Sequence, residues 1–575
     1  MRATNFLRIS CVALLLSLVA ACSKKPDEMP AADSPMLQYV AADTPYLFGV
    51  LRPMPEDLAD KLEPRVDKLL QGYQTLVRAI AVDGLESADI ADDEVEASRE
   101  HAAVILDKMA NLFSVSGLRN AGIGRESTFA IYGVGLAPVL RINLTDGDAF
   151  ERTFAEIETD AGSKMSTAQI DNQDYRFAGD DEATFILARF GNQLVATVIP
   201  TGISDDSLRR VLGLTKPESS IADSGKLEQM SKEYGFTAHG IGFVDFRRIA
   251  DTFLTEPTGI NAELLERAEF NSVSLSAVCK AEFSALADIA PRLLTGYTEL
   301  NAKRIASNTV LELRSDIASG LTTLTAPVPG LGSDHGGLFS MGMSIDLLAF
   351  RSFYEARLDA MDADPFECGL LSDLQAGVAQ GRMVLEQPLP PVAYSLKGFL
   401  AVVDDVQGGN VAAKVPPSSI DMRFLLATDN AAGLVAMGSI FSPELAALNL
   451  QADGKPVRFD SPLLQAPVEQ AWLAMNGSGL ALAVGDGGDQ RLSSMLAAKA
   501  GDPVPFYAMH MDAKRYYAFV AEASEIQPDQ DASPEVTQAT RDIMLGMSDL
   551  FDRLSLVVNF TERGVEMPSV VTLAD

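Results

Sequence analysis

The stretch Phe190-Gly191-Asn192-Gln193-Leu194-Val195-Ala196 places a Gly-Asn pair between two apolar runs, residues 184–190 and 193–199. Gly and Asn tolerate the positive φ that a two-residue hairpin turn requires, so the spacing predicts two antiparallel strands. Ser204-Asp205-Asp206 follows as a helix cap, with Leu208, Val211 and Leu212 on one helical face. Far downstream, Asn476-Gly477-Ser478-Gly479-Leu480-Ala481-Leu482 repeats the turn, and residues 491–497 repeat the helix.

Working outward, other pairs fall in the same order. Asp43-Thr44-Pro45-Tyr46-Leu47-Phe48 is echoed by Asp334-His335-Gly336-Gly337-Leu338-Phe339, each leading into a helix. Phe243-Val244-Asp245 is echoed by His510-Met511-Asp512, and Gly296-Tyr297-Thr298-Glu299-Leu300 by Gly546-Met547-Ser548-Asp549-Leu550. The shared order predicts an internal duplication with its junction in the Pro-rich run 327–330. The expected fold is α+β: two tandem related lobes, residues 36–326 and 331–575, of mainly antiparallel sheet with helices packed on one face.

Several elements are read locally. Pro55-Glu56-Asp57 opens a helix with Leu58, Leu62, Val66, Leu69, Leu70, Tyr73 and Val77 on one face, which Pro64 is expected to kink or divide. An exposed acidic connection over 83–100 and a second amphipathic helix over 101–113 follow. Strands are predicted over 128–134, 139–144, 236–244 and, carrying the sole tryptophan Trp472, 470–475. Helices are predicted after Asp148, burying Phe150, Phe154 and Ile157, and over 246–253.

The N-terminus begins with Arg2 and Arg8 and an apolar run ending in Leu18-Val19-Ala20-Ala21-Cys22. A basic start, a short apolar core and small residues before a cut site form the pattern of an export signal, and the run is too short to span a bilayer. A cysteine directly after the small residues resembles the lipobox of bacterial lipoproteins, which implies lipidation at Cys22 and removal of residues 1–21. Residues 22–35, with three prolines and mostly polar neighbours, read as a flexible tether. Ser23 after the cysteine implies, by resemblance to enterobacterial sorting, the outer membrane facing the periplasm.

Of the four cysteines, Cys11 lies in the signal and Cys22 is the lipidation candidate, leaving Cys279 and Cys368. In an oxidising compartment that pair is expected to form a disulfide clamping one repeat to the other, the alternative being two buried thiols. The strand–strand–helix units and the strand-then-Asp-helix element resemble a family of exported bacterial proteins known only as a domain of unknown function. The resemblance implies localisation and architecture and carries no catalytic residues.

Lys and Arg number 46 against 79 Asp and Glu, a formal charge of −33 that becomes −35 once Arg2 and Arg8 leave with the signal. This balance disfavours nucleic acid or an anionic bilayer face as the main partner. No Gly-x-Ser-x-Gly elbow, zinc-binding His-Glu-x-x-His or phosphate loop occurs in the sequence. His101, His239, His335 and His510 read as structural or surface histidines, with His239 and His510 placed in strands at related positions of the two repeats. Asp180-Asp181-Glu182 and Asp486-Gly487-Gly488-Asp489 read as solvated turns rather than Ca²⁺ loops. The expectation is a lipid-anchored, non-enzymatic protein of the bacterial envelope that binds or scaffolds. It has no cofactor or metal, a membrane partner through the anchor, and an envelope protein or lipid as further partner. A carrier of a hydrophobic lipid-like ligand and an envelope-polymer hydrolase are the alternatives.

Overall fold

Thr44 and Pro45 set the chain extended, as a residue before proline prefers. The Thr44 hydroxyl lies 2.8 Å from the Gly133 carbonyl and 2.9 Å from that of Tyr46, fixing the entry to the first strand. The computed structural model describes residues 34–86, 114–160, 164–270, 275–409, 417–459, 470–526 and 534–575, with positions 112 and 162. The strands are β1 (Tyr46–Val50), β2 (Thr128–Val134), β3 (Ala137–Asn143), β4 (Ser166–Ile170), β5 (Gln173–Gly179), β6 (Ala183–Phe190), β7 (Gln193–Pro200), β8 (Gly240–Asp245), β9 (Arg292–Leu300), β10 (Arg304–Glu312), β11 (Phe339–Ser344), β12 (Leu396–Gln407), β13 (Ser419–Thr428), β14 (Val457–Arg458), β15 (Ala471–Asn476), β16 (Gly479–Val484), β17 (Tyr507–Asp512), β18 (Phe551–Thr561) and β19 (Gly564–Leu573). The α-helices are α1 (Glu56–Glu86), α2 (Val115–Asn120), α3 (Gly147–Asp160), α4 (Asp205–Leu212), α5 (Lys226–Tyr234), α6 (Phe246–Leu254), α7 (Ile260–Arg267), α8 (Ala277–Ile289), α9 (Ser315–Thr322), α10 (Leu347–Ala363), α11 (Ser372–Leu385), α12 (Ala431–Gly438), α13 (Pro443–Ala447), α14 (Gly488–Ala497), α15 (Ala513–Ile526) and α16 (Pro534–Leu550).

Every strand pairing is antiparallel, and together the pairings form one sheet in the order β4-β5-β6-β7-β3-β2-β1-β8-β9-β10-β19-β18-β17-β11-β12-β13-β16-β15-β14. Its middle is the long pair β10–β19, running from Arg304 opposite Thr572 to Glu312 opposite Gly564. Both strands are the second arms of hairpins, β9–β10 and β18–β19.

Helices cover both faces of this sheet, not one. Along β7, Val195 enters the core built with Leu208, Val211 and Leu212 of α4. Its neighbours Leu194 and Ala196 pack instead with Phe150 and Phe154 of α3. On β16, Ala481 and Ala483 meet Leu492 and Met495 of α14, while Leu480 and Leu482 face Ala431, Val435 and Leu445 of α12 and α13. Successive side chains point to opposite faces, so these unbroken apolar runs require cover on both sides.

Over the middle of the sheet lies a pair drawn from opposite ends of the chain. Leu58, Leu62, Val66, Leu69 and Leu70 of α1 pack with Ile543 of α16 and with Leu300, Ile305 and Val571 of the central strands. The helices approach closely because Gly72 and Gly546 carry no side chain: a Cβ at either would lie 2.7 Å from Ile543 or Leu69. Pro64 does not divide α1. It leaves the Asp60 carbonyl without its helical donor, and burial of the apolar face outweighs that loss.

Other expectations differ in detail. Residues 296–300 lie within β9 while 546–550 end α16, so those two stretches do not occupy matching places; β9 corresponds in sheet position to β18. The hairpin β4–β5 was not legible, since its strands are mostly exposed and polar. All of the predicted helix over 101–113 but position 112, most of the connection over 83–100 and Cys22 lie outside the described residues.

Candidate binding sites

The cysteine pair is joined: Cys279, in the first turn of α8, is bonded to Cys368 just before α11. The Glu282 carboxylate accepts from the N–H groups of Glu367 (2.8 Å) and Cys368 (3.1 Å), tying the same two segments together by hydrogen bonds.

Among the described histidines, His335 and His510 lie near enough to act on each other electrostatically, whereas His239 faces only Arg52. His239 lies in a bend before β8, not in a strand, whereas His510 lies in β17. Phe243 and His510 both sit two residues before a helix-capping aspartate, Asp245 or Asp512, so His239 and His510 are not at related positions. His335 shares a hydrogen bond of 2.9 Å with the Gly330 carbonyl. Burial lowers the pKa of His239, His335 and His510 alike, which favours their neutral forms. Among the described residues no three His, Cys, Asp or Glu side chains come together in a way suited to a metal ion. The Asp180 carboxylate caps its own turn, accepting from the N–H groups of Glu182 and Ala183.

A polar cleft of about 310 Å³ opens beside β1, between the β2–β3 turn and helices α6 and α7. Asp43, Asp251 and Glu256 offer carboxylates, and Arg248 is the cation among them. Gly135 forms the turn at φ +56°, and the Asn261 side-chain oxygen accepts from Leu136 N–H at 2.8 Å, holding the turn against α7. Two of the cleft hydroxyls are engaged by the backbone of α6: Thr252 donates to Arg248 O and Thr255 to Asp251 O. None of the residues lining this cleft is a histidine or cysteine, so its hydroxyls have no adjacent imidazole base. Its lining offers charge and hydrogen-bonding groups that could hold a small polar molecule.

Beside it lies a half-buried ionic cluster that sequence reading missed. Arg292 pairs with Glu312, which also accepts from the Tyr234 phenol. Asp245 pairs with Arg248 at 3.2 Å. The Lys226 ammonium sits 4.5 Å from the Phe243 ring centre and 3.9 Å from Asp245, and among the described residues it has no hydrogen-bond partner. Burial, with repulsion from Arg248 and Arg292, pulls its pKa down to about 8 against the opposing pull of Asp245 and Asp43. Beyond the central pair β10–β19, Asp404 of β12 binds Arg423 at 2.7 and 3.0 Å and Arg491 at 3.2 Å. Such contacts join residues far apart in sequence and leave no local pattern.

An apolar pocket between α1 and α2, lined by Met54, Leu62, Val66, Val115 and Leu118, holds about 30 Å³, room for a water molecule and not for an acyl chain. Apolar side chains are instead found outside, on α10 and α11 (Leu348, Tyr354, Leu374, Met383, Val384) and at the α12–α13 turn (Ile440, Phe441). Among the described residues no helix is long and apolar enough to cross a membrane. No family model, curated protein or solved structure matches the chain.

Proposed function

We propose that this chain is a lipid-anchored protein of the bacterial envelope that binds or scaffolds without catalysis, held at the outer membrane and facing the periplasm. The observation that carries the reading is Leu18-Val19-Ala20-Ala21-Cys22 at the end of a signal-like run. The Cys279–Cys368 bond supports an oxidising compartment. The external position of the apolar side chains supports the binding part of the reading. The small pocket under α1 gives the lipid-carrier reading no support.

Two tandem related lobes, residues 36–326 and 331–575, are part of the same proposal. Its support is topological: outward from β10–β19, one flank runs β9, β8, β1, β2, β3, β7, β6 and the other β18, β17, β11, β12, β13, β16, β15, with the same order of connection along the chain. Mass spectrometry of the protein extracted gently from membranes tests the anchor. The expected mass is that of a chain beginning at an acylated Cys22, with one disulfide. A chain that retains Met1, or begins after Cys22 with no lipid, would defeat the proposal. In-cell crosslinking of the lipidated protein then tests for a partner, and a chain that crosslinks to no envelope component would defeat the scaffolding part.

A further inference from the structure

Residues 431–450, which form α12, α13 and their turn, contain a single charged residue, Glu444, in a chain of net charge −33. Their inner side is ordinary core: Ala431 and Leu450, with Val435, Leu445 and Leu448 beside them, pack on Leu473 and Met475 of β15. Their outer side is exceptional. Ala432, Ala436, Met437, Ile440, Phe441 and Ala446 are all exposed, with Ile440 at 77% and Phe441 at 84%. Glu444 is half-buried and accepts from the Ser442 hydroxyl at 3.0 Å.

The same molecule supplies a control. In the other flank the element that follows β3, as α12 follows β13, is α3, packed on the same face of its strands. Its exposed positions include Asp148, Arg152, Glu156 and Asp160. An amphipathic helix facing water takes charged residues outside, as α3 does. The α12–α13 segment instead presents Ala432, Ala436, Met437, Ile440 and Phe441 outward, so water is not the environment its outer side fits.

We propose that the Ile440-Phe441 turn inserts into the lipid bilayer as a second point of membrane attachment. The proposal rests on the anchored reading above. Tyr39 stacks on Arg141 of β3 at 3.9 Å, so the tether enters the body at that flank. The turn follows β13, eleven strand spacings away, about 50 Å measured along the sheet. Residues 22–35 span at most about 45 Å when extended, which keeps the body close to the bilayer and leaves its far end unconstrained. A strongly acidic body is repelled by anionic headgroups. An uncharged tip with an exposed aromatic gains by entering the acyl boundary, and a second attachment fixes the orientation that the tether leaves free.

The test uses the lipidated full chain in vesicles of phosphatidylethanolamine and phosphatidylglycerol doped with acyl-brominated phosphatidylcholine. The variant F441W/W472F carries its sole indole at the tip, and the native chain carries it at Trp472. The exposure of Phe441 lets the first change leave the fold intact, checked by an unchanged circular dichroism spectrum. The expected result is loss of tip fluorescence to brominated lipid, little loss to aqueous iodide, and no response of native Trp472 to bromolipid. Quenching by iodide and not by bromolipid overturns the proposal, and so does shielding from both, which would assign the tip to a protein partner or a second copy. The mass at Cys22 is read from the same preparation. Bromolipid quenching without lipidation defeats the anchor alone, lipidation without quenching defeats insertion alone, and absence of both defeats both.

Discussion

Lys226 should make the protein less stable than it needs to be, and by an amount that depends on pH. Its ammonium is desolvated, lacks a hydrogen-bond partner among the described residues, and titrates at about 8, against 10.5 for an ordinary lysine. Below pH 8 the folded state bears this charge at full cost. Between 8 and 10.5 the folded state releases the proton while the unfolded chain still holds it, so stability rises with pH through that window. At 1.36 kcal/mol per unit the cost is about 3 kcal/mol at pH 7, about 2 at pH 9 and about 1 at pH 10. K226M keeps the volume and removes the charge, and Asp245 retains Arg248 and its capping of α6. The variant should therefore unfold at higher urea than the native chain at pH 7, with the gain shrinking towards zero near pH 10.5. The comparison cancels every other titrating group the two proteins share. A variant of unchanged or lower stability at pH 7, or a gain that does not change with pH, would refute the reasoning.

Two further outcomes follow from the same structure. Replacing Cys279 and Cys368 together by serine opens a loop with a sequence separation of 89 residues, for which chain entropy gives a loss of about 4.6 kcal/mol at 25 °C. The urea midpoint should fall, and a midpoint matching the oxidised native chain would show that the loop is constrained by other contacts. D404A leaves Arg423 and Arg491 without their shared carboxylate and should cost about 3 kcal/mol or more, with R423M in the same chain restoring part of the loss. A double variant as unstable as D404A would remove the uncompensated charge as the cause.

Hairpins and caps were legible in the sequence because each depends on a few adjacent residues. Gly191-Asn192 and Gly477-Ser478 turn where their chemistry requires, and Ser204 caps α4 by accepting from Ser207 N–H. The cover on both faces was readable in principle from the apolar triplet Leu194-Val195-Ala196, which a half-exposed strand would not carry. The joining of the flanks through β10 and β19 was not, because nothing in either strand names its partner. The cleft beside β1 was equally hidden: Asp43, Gly135, Arg248 and Asn261 meet only after the sheet has formed. Ile440-Phe441 was invisible for the opposite reason, since an apolar pair looks the same in a sequence whether it is buried or bare.

The central join also imposes an order of events on synthesis. β10 is complete at Glu312, but its partner is the last strand of the chain, Gly564–Leu573. Until the C-terminus arrives, one edge of β10 stands open in the middle of what will become the sheet. Such distant pairing closes late. The waiting edge carries Arg304, Ser307, Asn308 and Glu312, polar residues of the kind that discourage capture by another chain. A chain cut short by even its final ten residues would leave most of that edge bare, with its N–H and C=O groups unpaired.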